Sequence, residues 1–387
     1  MNFRRSSRLD KLPPYIFAEM EKKKRELEAK GKDIINLGIG DPDQPPPELV
    51  INKLVVSLHD DGIHQYAATQ GIDEFRYAVA RWMEKRYNVK LDPQKEVLHG
   101  IGSKEVIAHL PLALTEPGDV ILIPEPGYPP YRSGTIFALA EPYAMPLKRE
   151  NNFLPDLLSI PEDIAKKAKV IFVNYPNNPT GATATKDFYK RLVAFANKYN
   201  IIVVSDAAYA ELYYEEKPIS FLEIDGAKDV GIEVHSMTKT FSMAGWRMAW
   251  ACGNSQILET LRGLKANLDS GQFMALQKAA TAGLTTGESE MSAIRDMYRR
   301  RRDVLVSGLR KLRWDVSLPK ATFYVWFPVP TKMGSMEFAN FLLEWGNVVV
   351  TPGAGFGKYG EGFIRIALTV TEERLQEAVE RITKLRL

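Results

Sequence analysis

Short apolar runs alternate with longer segments of helical period through most of the chain. Six of these runs are rich in β-branched or other apolar residues and are bounded by Pro, Gly, Asn or Asp: 97–102, 119–124, 169–176, 201–206, 231–237 and 247–253. Strands that are apolar on both faces are typical of a sheet covered by helices on both sides. Helices are predicted between them at 104–115, 184–199 and 255–265. The pattern therefore predicts an α/β fold around a mostly parallel sheet.

The pattern changes near residue 286. One long helix is predicted over 288–312, and its four consecutive arginines at 299–302 are predicted to form a solvated face. Strand-like runs and two helices follow: strands at 314–319, 322–329, 347–353 and 362–368, and helices at 335–345 and 371–385. We expect a smaller α/β domain here. The expected division is an N-terminal arm at 1–45 that joins this domain, a large domain at 46–285 and the small domain at 286–387.

Charge and cysteine content exclude several classes of protein. The 51 Lys and Arg nearly balance the 48 Asp and Glu, and basic residues are mixed with acidic ones, so no nucleic-acid partner is expected. The longest apolar runs fall far short of the roughly 20 residues of a membrane-spanning helix, and no secretory signal is seen. The single Cys252 provides neither an intramolecular disulfide nor a thiolate metal site. We expect a soluble, cytoplasmic protein.

Common cofactor and catalytic motifs do not fit this chain. The G-x-G-x-x-G at 355–360 is followed by a strand pattern rather than by the helix that a dinucleotide site needs. The five histidines show no metal-binding spacing, so no metal is expected. No G-x-S-x-G motif is present, so hydrolase chemistry has no visible nucleophile.

Four segments carry a different pattern, namely NYPNNPTG at 174–181, SDAAYAELYY at 205–214, HSMTKTFSMAGWRMAW at 235–250 and FIRIA at 363–367. Alone, each has an ordinary interpretation: Asn178 could start a turn, Asp206 could cap a helix and Lys239 could be a surface lysine. In this order and spacing they resemble the fold-type I, class I and II aminotransferases, which use pyridoxal 5′-phosphate (PLP). The resemblance covers nearly the whole chain. It implies a large domain with a seven-stranded, mostly parallel sheet between helices, plus a smaller α/β domain.

The resemblance also implies which side chains would meet the PLP ring. Lys239 would form a Schiff base with the aldehyde and later carry a proton. Asp206 would pair with the pyridine nitrogen, and Asn178 and Tyr209 would hydrogen-bond the phenolic oxygen. PLP chemistry needs these groups, because its aldehyde requires an amine and its ring nitrogen requires an anion.

For the phosphate of PLP, the family pattern indicates the segment IGSKE. The backbone N–H groups of Ser103 and Lys104 would open a helix directly after a strand, where amide donors and the helix dipole favour an anion. Ser236 and Arg247 would complete the phosphate site, with the arginine as a permanently charged donor. The alternative for Ser103 is an ordinary helix cap.

The remaining expected contacts involve the substrate and a second subunit. Tyr128 would stack on the cofactor ring and, with Asn178, border the substrate; its alternative is core packing. Arg365 would hold the substrate α-carboxylate through two parallel hydrogen bonds, with the Gly40 backbone beside it. A structural salt bridge is the alternative for Arg365. Tyr66 resembles a residue that reaches the phosphate in the neighbouring subunit, which implies a homodimer with shared active sites.

Other stretches narrow the resemblance to bacterial LL-diaminopimelate aminotransferases: 12–20, 100–114, 146–157 and 239–273. The expected ping-pong reaction converts LL-2,6-diaminopimelate and 2-oxoglutarate to tetrahydrodipicolinate and glutamate in lysine biosynthesis. Lys104, Asn267 and Ser270 are candidates for the distal end of this substrate. Alanine or aspartate aminotransferases, a PLP-dependent carbon–sulfur β-lyase and a non-catalytic PLP-binding regulator remain alternatives.

Overall fold

The computed structural model describes residues 3–12 and 17–385. Residues 13–16, within the stretch 12–20 that carries part of the resemblance, lie outside the described residues. The α-helices are α1 Ser7–Asp10, α2 Phe17–Ala29, α3 Glu48–Ser57, α4 Asp73–Tyr87, α5 Ser103–Leu114, α6 Pro129–Phe137, α7 Glu162–Lys167, α8 Lys186–Tyr199, α9 Ala227–Val230, α10 Met237–Thr240, α11 Ser255–Leu268, α12 Met274–Thr286, α13 Glu288–Lys311, α14 Ser335–Gly346 and α15 Glu372–Thr383. The β-strands are β1 Ile35–Asn36, β2 Val97–Ile101, β3 Val120–Glu125, β4 Glu141–Pro146, β5 Ala168–Asn174, β6 Ile202–Asp206, β7 Gly231–Ser236, β8 Met248–Gly253, β9 Tyr324–Pro328, β10 Val348–Val349, β11 Thr351–Pro352 and β12 Phe363–Ala367.

A seven-stranded sheet forms the centre of the larger part of the chain, in the order β2-β8-β7-β6-β5-β3-β4. Strand β8 runs antiparallel to its neighbours β2 and β7, and the other pairs are parallel. Alternate residues of β5, such as Ile171 and Phe172, enter separate apolar clusters on the two faces. The strands are apolar throughout because helices cover both faces, and the predicted fold class is confirmed.

Strand β4 was not predicted from the sequence. It lies at the edge of the sheet, and most of its side chains are only partly buried. Its sequence, EPYAMP, lacks the β-branched residues that mark a strand of the sheet interior.

A second group of elements packs around another apolar cluster. Strands β11, β12 and β9 form an antiparallel sheet, and β1 pairs in parallel with β10, so that Ile35 lies beside Val348. The cluster joins residues near the N-terminus, such as Leu37, to residues of α14 and β12, such as Leu342 and Ile364. Residues of the N-terminal segment thus pack with the C-terminal elements. The boundaries at 45 and 285 stay predictions.

The strand predicted at 314–319 is wrong. The backbone carbonyls of Val316 and Pro319 accept hydrogen bonds from the side chains of Arg310 and Arg302, and the segment joins no sheet. These two carbonyls therefore have side-chain partners in place of a neighbouring strand.

The arginine run at 299–302 is not a fully solvated face, which corrects a second expectation. Arg301 and Arg302 are buried. Arg301 donates two 2.7 Å hydrogen bonds to the carboxylate of Asp43, and Arg302 donates a 2.9 Å bond to Glu215. The partner of Arg301 lies far away in sequence, so the pairing comes from the tertiary fold.

Within the described part of the chain, no helix combines the length and the apolar character that crossing a membrane requires.

Candidate active site

The predicted site segments meet at one edge of the large sheet. Strands β5 and β6 end side by side, with Asn174 opposite Asp206, and β7 ends nearby at Ser236. Strand β2 runs antiparallel to β8, as β7 does, so its carboxyl end points to the same edge. Ligands of open α/β sheets bind at the carboxyl ends of the strands.

A cavity of about 630 Å³ opens at this edge. Nine of the predicted site residues line it: Gly40, Ser103, Lys104, Tyr128, Asn178, Asp206, Tyr209, Lys239 and Arg365. The cavity therefore brings together most of the chemistry that the sequence indicated, although these residues span more than 300 positions.

Lys239 places an amine with a lowered pKa in this cavity. Its Nζ donates a 3.1 Å hydrogen bond to the carbonyl oxygen of Gly40. Burial is the main cause that lowers the pKa of Lys239 to about 8; Asp41 opposes this shift, and the cations Arg247 and Arg365 contribute to it. A substantial fraction of this amine is neutral near pH 8, and a neutral amine is the form that attacks carbonyl groups.

Asp206 is a buried carboxylate at the end of β6. Its Oδ2 accepts a 2.7 Å hydrogen bond from the phenol of Tyr131, and its Oδ1 accepts one from the amide of Ala208. Burial raises the pKa of Asp206 to about 6, although both hydrogen bonds oppose that rise. Such a carboxylate gains strongly from a cationic partner.

The turn between β2 and α5 leads directly into the first backbone amides of a helix. The amides of Ser103 and Lys104 are the first two of α5, where no carbonyl of that helix can accept their hydrogen bonds. Gly102 has φ +76°, and a Cβ there would lie 2.2 Å from Nη2 of Arg247, so the guanidinium packs against the turn. Arg247 itself has φ +57°, an uncommon backbone conformation for an arginine.

Ser236 is buried at the start of α10 and does not line the cavity. Its expected contact with a phosphate stays a prediction.

Arg365 lies at another wall of the cavity, fixed by both stacking and hydrogen bonds. Its guanidinium carbon lies 4.1 Å from the ring centre of Tyr324 and 4.8 Å from that of Phe356. It donates to Oδ1 of Asn178 at 2.9 Å and to the carbonyl of Gly38 at 2.7 Å. No carboxylate pairs with it among the described residues, which disfavours a purely structural salt bridge. Its buried Nε has no hydrogen-bond partner within residues 3–12 and 17–385.

Three aromatic residues at the site were missed by sequence reasoning: Tyr131, Tyr324 and Phe356. Tyr131 contacts Asp206, and the hydroxyl of Tyr324 lies 3.1 Å from that of Tyr209. A Cβ on Gly40 would lie 1.9 Å from the Tyr324 hydroxyl, so only glycine allows this approach. Apolar strand neighbours and turn prolines surround these aromatics in the sequence, and nothing there separates them from core residues.

Some predicted residues lie elsewhere. Tyr66 is 90% exposed in the single chain and does not line the cavity. Asn267 and Ser270 are also exposed and outside it. Of the three residues suggested for the distal end of the substrate, only Lys104 lines the cavity.

One cavity thus holds an amine of lowered pKa, a buried carboxylate and an arginine. This combination defines a site for amino-group chemistry on anionic substrates. The model of the family described as aminotransferase class I and II matches residues 32–382, and the chain belongs to this family. The chain is 50% identical over 379 residues to an LL-diaminopimelate aminotransferase of Moorella thermoacetica, covering 98% of this chain and 97% of the relative. It is 51% identical to one from Aquifex aeolicus, with both chains fully covered.

Solved structures show the same likeness. Substrate-bound BacF from Bacillus subtilis has a TM-score of 0.95 at 40% identity, covering all of this chain and 98% of that one. A double mutant of Thermus thermophilus aspartate aminotransferase has a TM-score of 0.93 at 29% identity, with 99% and 100% covered. The fold and the family predicted from the sequence are thereby confirmed.

Proposed function

We propose that this chain is a PLP-dependent LL-diaminopimelate aminotransferase. The single observation that carries an aminotransferase function is that Lys239, Asp206 and Arg365 line one cavity. The names of the relatives that are about 50% identical over nearly full length support LL-diaminopimelate as the amino donor. The reaction would exchange an amino group between this donor and 2-oxoglutarate, in two half-reactions at one site.

The residues present fit PLP. Lys239 would hold its aldehyde carbon, the Asp206 carboxylate its ring nitrogen, and the Ser103 and Lys104 amides with Arg247 its phosphate. Tyr128 lines the cavity beside them and would cover one ring face. When bound, PLP supplies an electron sink for the charge that develops at the substrate Cα. The raised pKa of Asp206 supports this fit, because a buried carboxylate without a cation is unfavourable.

The chain's own residues would orient the substrate and move its proton. Arg365 would bind the α-carboxylate, and its stacking between Tyr324 and Phe356 fixes the plane of the guanidinium. The Lys239 amine, with a pKa of about 8, would take up the proton that leaves the substrate Cα. The Asn178 side chain would connect the substrate region with the cofactor region, because its Oδ1 accepts a hydrogen bond from Arg365 and the residue lines the cavity.

A homodimer is part of the proposal. Helix α3 and the segments near Tyr66 and Phe273 expose large apolar side chains, including Val55, Val56 and Leu268. Large apolar side chains exposed in the single chain support an interface. Tyr66 would then reach the phosphate site of the other subunit. Mass determination in solution tests the dimer, and a monomeric active enzyme would contradict it. The expected cytoplasmic location stays a prediction.

A coupled assay tests the function directly. LL-diaminopimelate, its meso isomer, alanine, aspartate and glutamate are compared as amino donors, with 2-oxoglutarate as acceptor for all but glutamate, whose acceptor is tetrahydrodipicolinate. We expect the highest kcat/KM for LL-diaminopimelate. A higher value for alanine or aspartate would overturn the substrate assignment and leave the aminotransferase assignment intact.

The cofactor is tested separately. Borohydride reduction of the PLP-loaded protein should place a pyridoxyl label on Lys239, found by peptide mass spectrometry. A Lys239→Ala variant should carry no such label and have no turnover. A label on another lysine would contradict the proposed role of Lys239.

A further inference from the structure

A buried ionic cluster lies behind the β2–α5 turn, outside the cavity. The side chain of Lys265 in α11 is fully buried. Its Nζ donates to Oε1 of Glu105 at 3.1 Å and to Oδ2 of Asp269 at 2.9 Å. One ammonium thus serves two carboxylates. A buried lysine is rare, and this one has no contact with the cavity that would explain it.

Glu105 connects the cluster to the turn that precedes α5. Its Oε2 accepts a 3.0 Å hydrogen bond from the amide of Ile101, and its Oε1 also lies 2.8 Å from Nδ1 of His109. Burial alone would raise the pKa of Glu105, but His109 and Lys265 outweigh burial and hold this pKa below its ordinary value. Glu105 is therefore ionised at neutral pH, and its carboxylate fixes the residue where the turn begins.

Asp269 connects the same ammonium to a second segment. Its Oδ1 accepts a 2.9 Å hydrogen bond from the amide of Gly271. Gly271 has φ +79°, and a Cβ there would lie 3.0 Å from the carbonyl oxygen of Ala68. The segment 269–271 thus packs against the backbone two residues from Tyr66.

We propose that Lys265 is a positioning residue for the cofactor phosphate, an inference that rests on the proposed function. Its ammonium holds the Glu105 carboxylate in its hydrogen bond with the Ile101 amide. This hydrogen bond fixes the turn and so orients the amides of Ser103 and Lys104 toward the phosphate. Without the ammonium, two partly buried carboxylates lie close together with no shared cation, and they repel each other. Glu105 then leaves the Ile101 amide or takes up a proton, and the turn loses its fixed geometry. Lys265 acts through Glu105, because it does not line the cavity.

The test compares two aldehydes that differ only in the phosphate group. Dissociation constants of PLP and of pyridoxal are measured for the apoprotein by equilibrium titration. We expect Lys265→Met to weaken PLP binding roughly tenfold, since hydrogen bonds to charged groups contribute at this level, and to leave pyridoxal binding unchanged. Lys228→Met is the control for the loss of an ion pair as such, because the partly exposed Lys228 pairs with Glu96, at the end of β2 opposite to the turn. It should leave both constants unchanged.

A second variant keeps the test decisive if Lys265→Met folds poorly. Glu105→Ala removes the acceptor of the Ile101 amide that the Lys265 ammonium holds in place. It should also weaken PLP binding selectively, and the double variant should lose no more than the larger single loss. Equal losses for PLP and pyridoxal, or no loss, would overturn the positioning role. An unmodified apoprotein that does not prefer PLP over pyridoxal would overturn the proposed phosphate site itself.

Discussion

The phenol of Tyr131 donates a 2.7 Å hydrogen bond to Oδ2 of Asp206, and both side chains are buried. Tyr131 also stacks on Phe172 of β5, the strand next to the one that ends at Asp206, with ring centres 5.1 Å apart. The carboxylate that would pair with the cofactor nitrogen is therefore held by a rigid neutral donor. A neutral donor stabilises the ionised carboxylate without competing as a cation for it.

Tyr131→Phe should therefore shift the pH dependence of PLP binding. Burial raises the pKa of Asp206 to about 6, and the Tyr131 hydrogen bond opposes this rise. Without the phenol the pKa rises further, so the protonated and inactive form of Asp206 persists to higher pH. Titration of the apoprotein with PLP between pH 5 and 8 should show affinity lost at a higher pH than in the unmodified protein.

Tyr175→Phe is the control for that experiment. Tyr175 is buried as well, but its hydroxyl donates to the carbonyl of Phe153 and not to Asp206. Its pH profile should match that of the unmodified protein, which also removes the titration of the PLP phosphate from the comparison. Identical shifts in both variants would contradict a specific role for Tyr131.

Asp206→Asn should stabilise the apoprotein at neutral pH. A carboxyl with a folded pKa of about 6 and an ordinary value of 3.8 destabilises the fold as pH rises from about 4 to 6, and the full effect of about 3 kcal/mol holds above pH 6. The asparagine lacks this penalty. Urea unfolding of the apoprotein should show a higher midpoint for the variant at pH 7.5 and a smaller gain at pH 5, together with weaker PLP binding. A lower midpoint at pH 7.5 would contradict the raised pKa.

The Lys239 amine should react with aldehydes at unusually low pH. With a pKa of about 8, roughly a tenth of this amine is neutral at pH 7, against less than about 0.1% for an ordinary lysine. Brief treatment of the apoprotein with pyridoxal and borohydride should label Lys239 with a midpoint near pH 8. Lys166 serves as an internal comparison and should label only at higher pH, because its hydrogen bond with Glu162 raises the pKa of its amine. Equal labelling of the two lysines at pH 7 would contradict the effect of burial.

Arg365→Ala should impair substrate binding without releasing the cofactor. Loss of a charged, two-point contact with the α-carboxylate should lower kcat/KM roughly 100-fold for every amino donor, mainly through KM. The visible absorption of the PLP-loaded protein should stay the same. A changed spectrum would place Arg365 at the cofactor instead. Arg365→Lys should rescue little, because an ammonium cannot form two parallel hydrogen bonds.

Gly40→Ala should disrupt the site through Tyr324. The new Cβ would lie 1.9 Å from the Tyr324 hydroxyl and 2.6 Å from its ring carbon, so the tyrosine must move away from Arg365. We expect a loss of kcat/KM of at least tenfold and a lower Tm. Gly263→Ala is the matched control, because Gly263 is exposed in α11 with no atom within 4 Å of its added Cβ. That variant should keep full activity and gain up to about 1 kcal/mol of stability.

Most strands of the large sheet and the starts of several helices could be predicted, because each depends on local pattern. Helix α5 begins at Ser103 and α13 at Glu288, within one residue of the predicted starts. Asp206 could be placed at a sheet edge because it ends an apolar run. The family resemblance then named nine of the residues that line the cavity.

Contacts between distant segments could not be predicted in this way. Tyr324 sits in an aromatic run that is indistinguishable from core strand, and only packing places it beside Gly40 and Arg365. Arg301 belongs to a charge run that local pattern assigns to solvent, yet Asp43 binds it from 258 positions away. The positions of such partners depend on the whole fold, and no single window of sequence contains them.

The Arg301–Asp43 pair ties the reactive amine to the longest helix of the chain. Gly40, whose carbonyl receives Lys239, lies three residues before Asp43, which Arg301 grips from α13. If α13 tilted while the Arg301–Asp43 hydrogen bonds stayed intact, the Gly40 carbonyl that accepts from Lys239 would shift as well. A movement of α13 would thus be transmitted to Lys239 through residues 40–43.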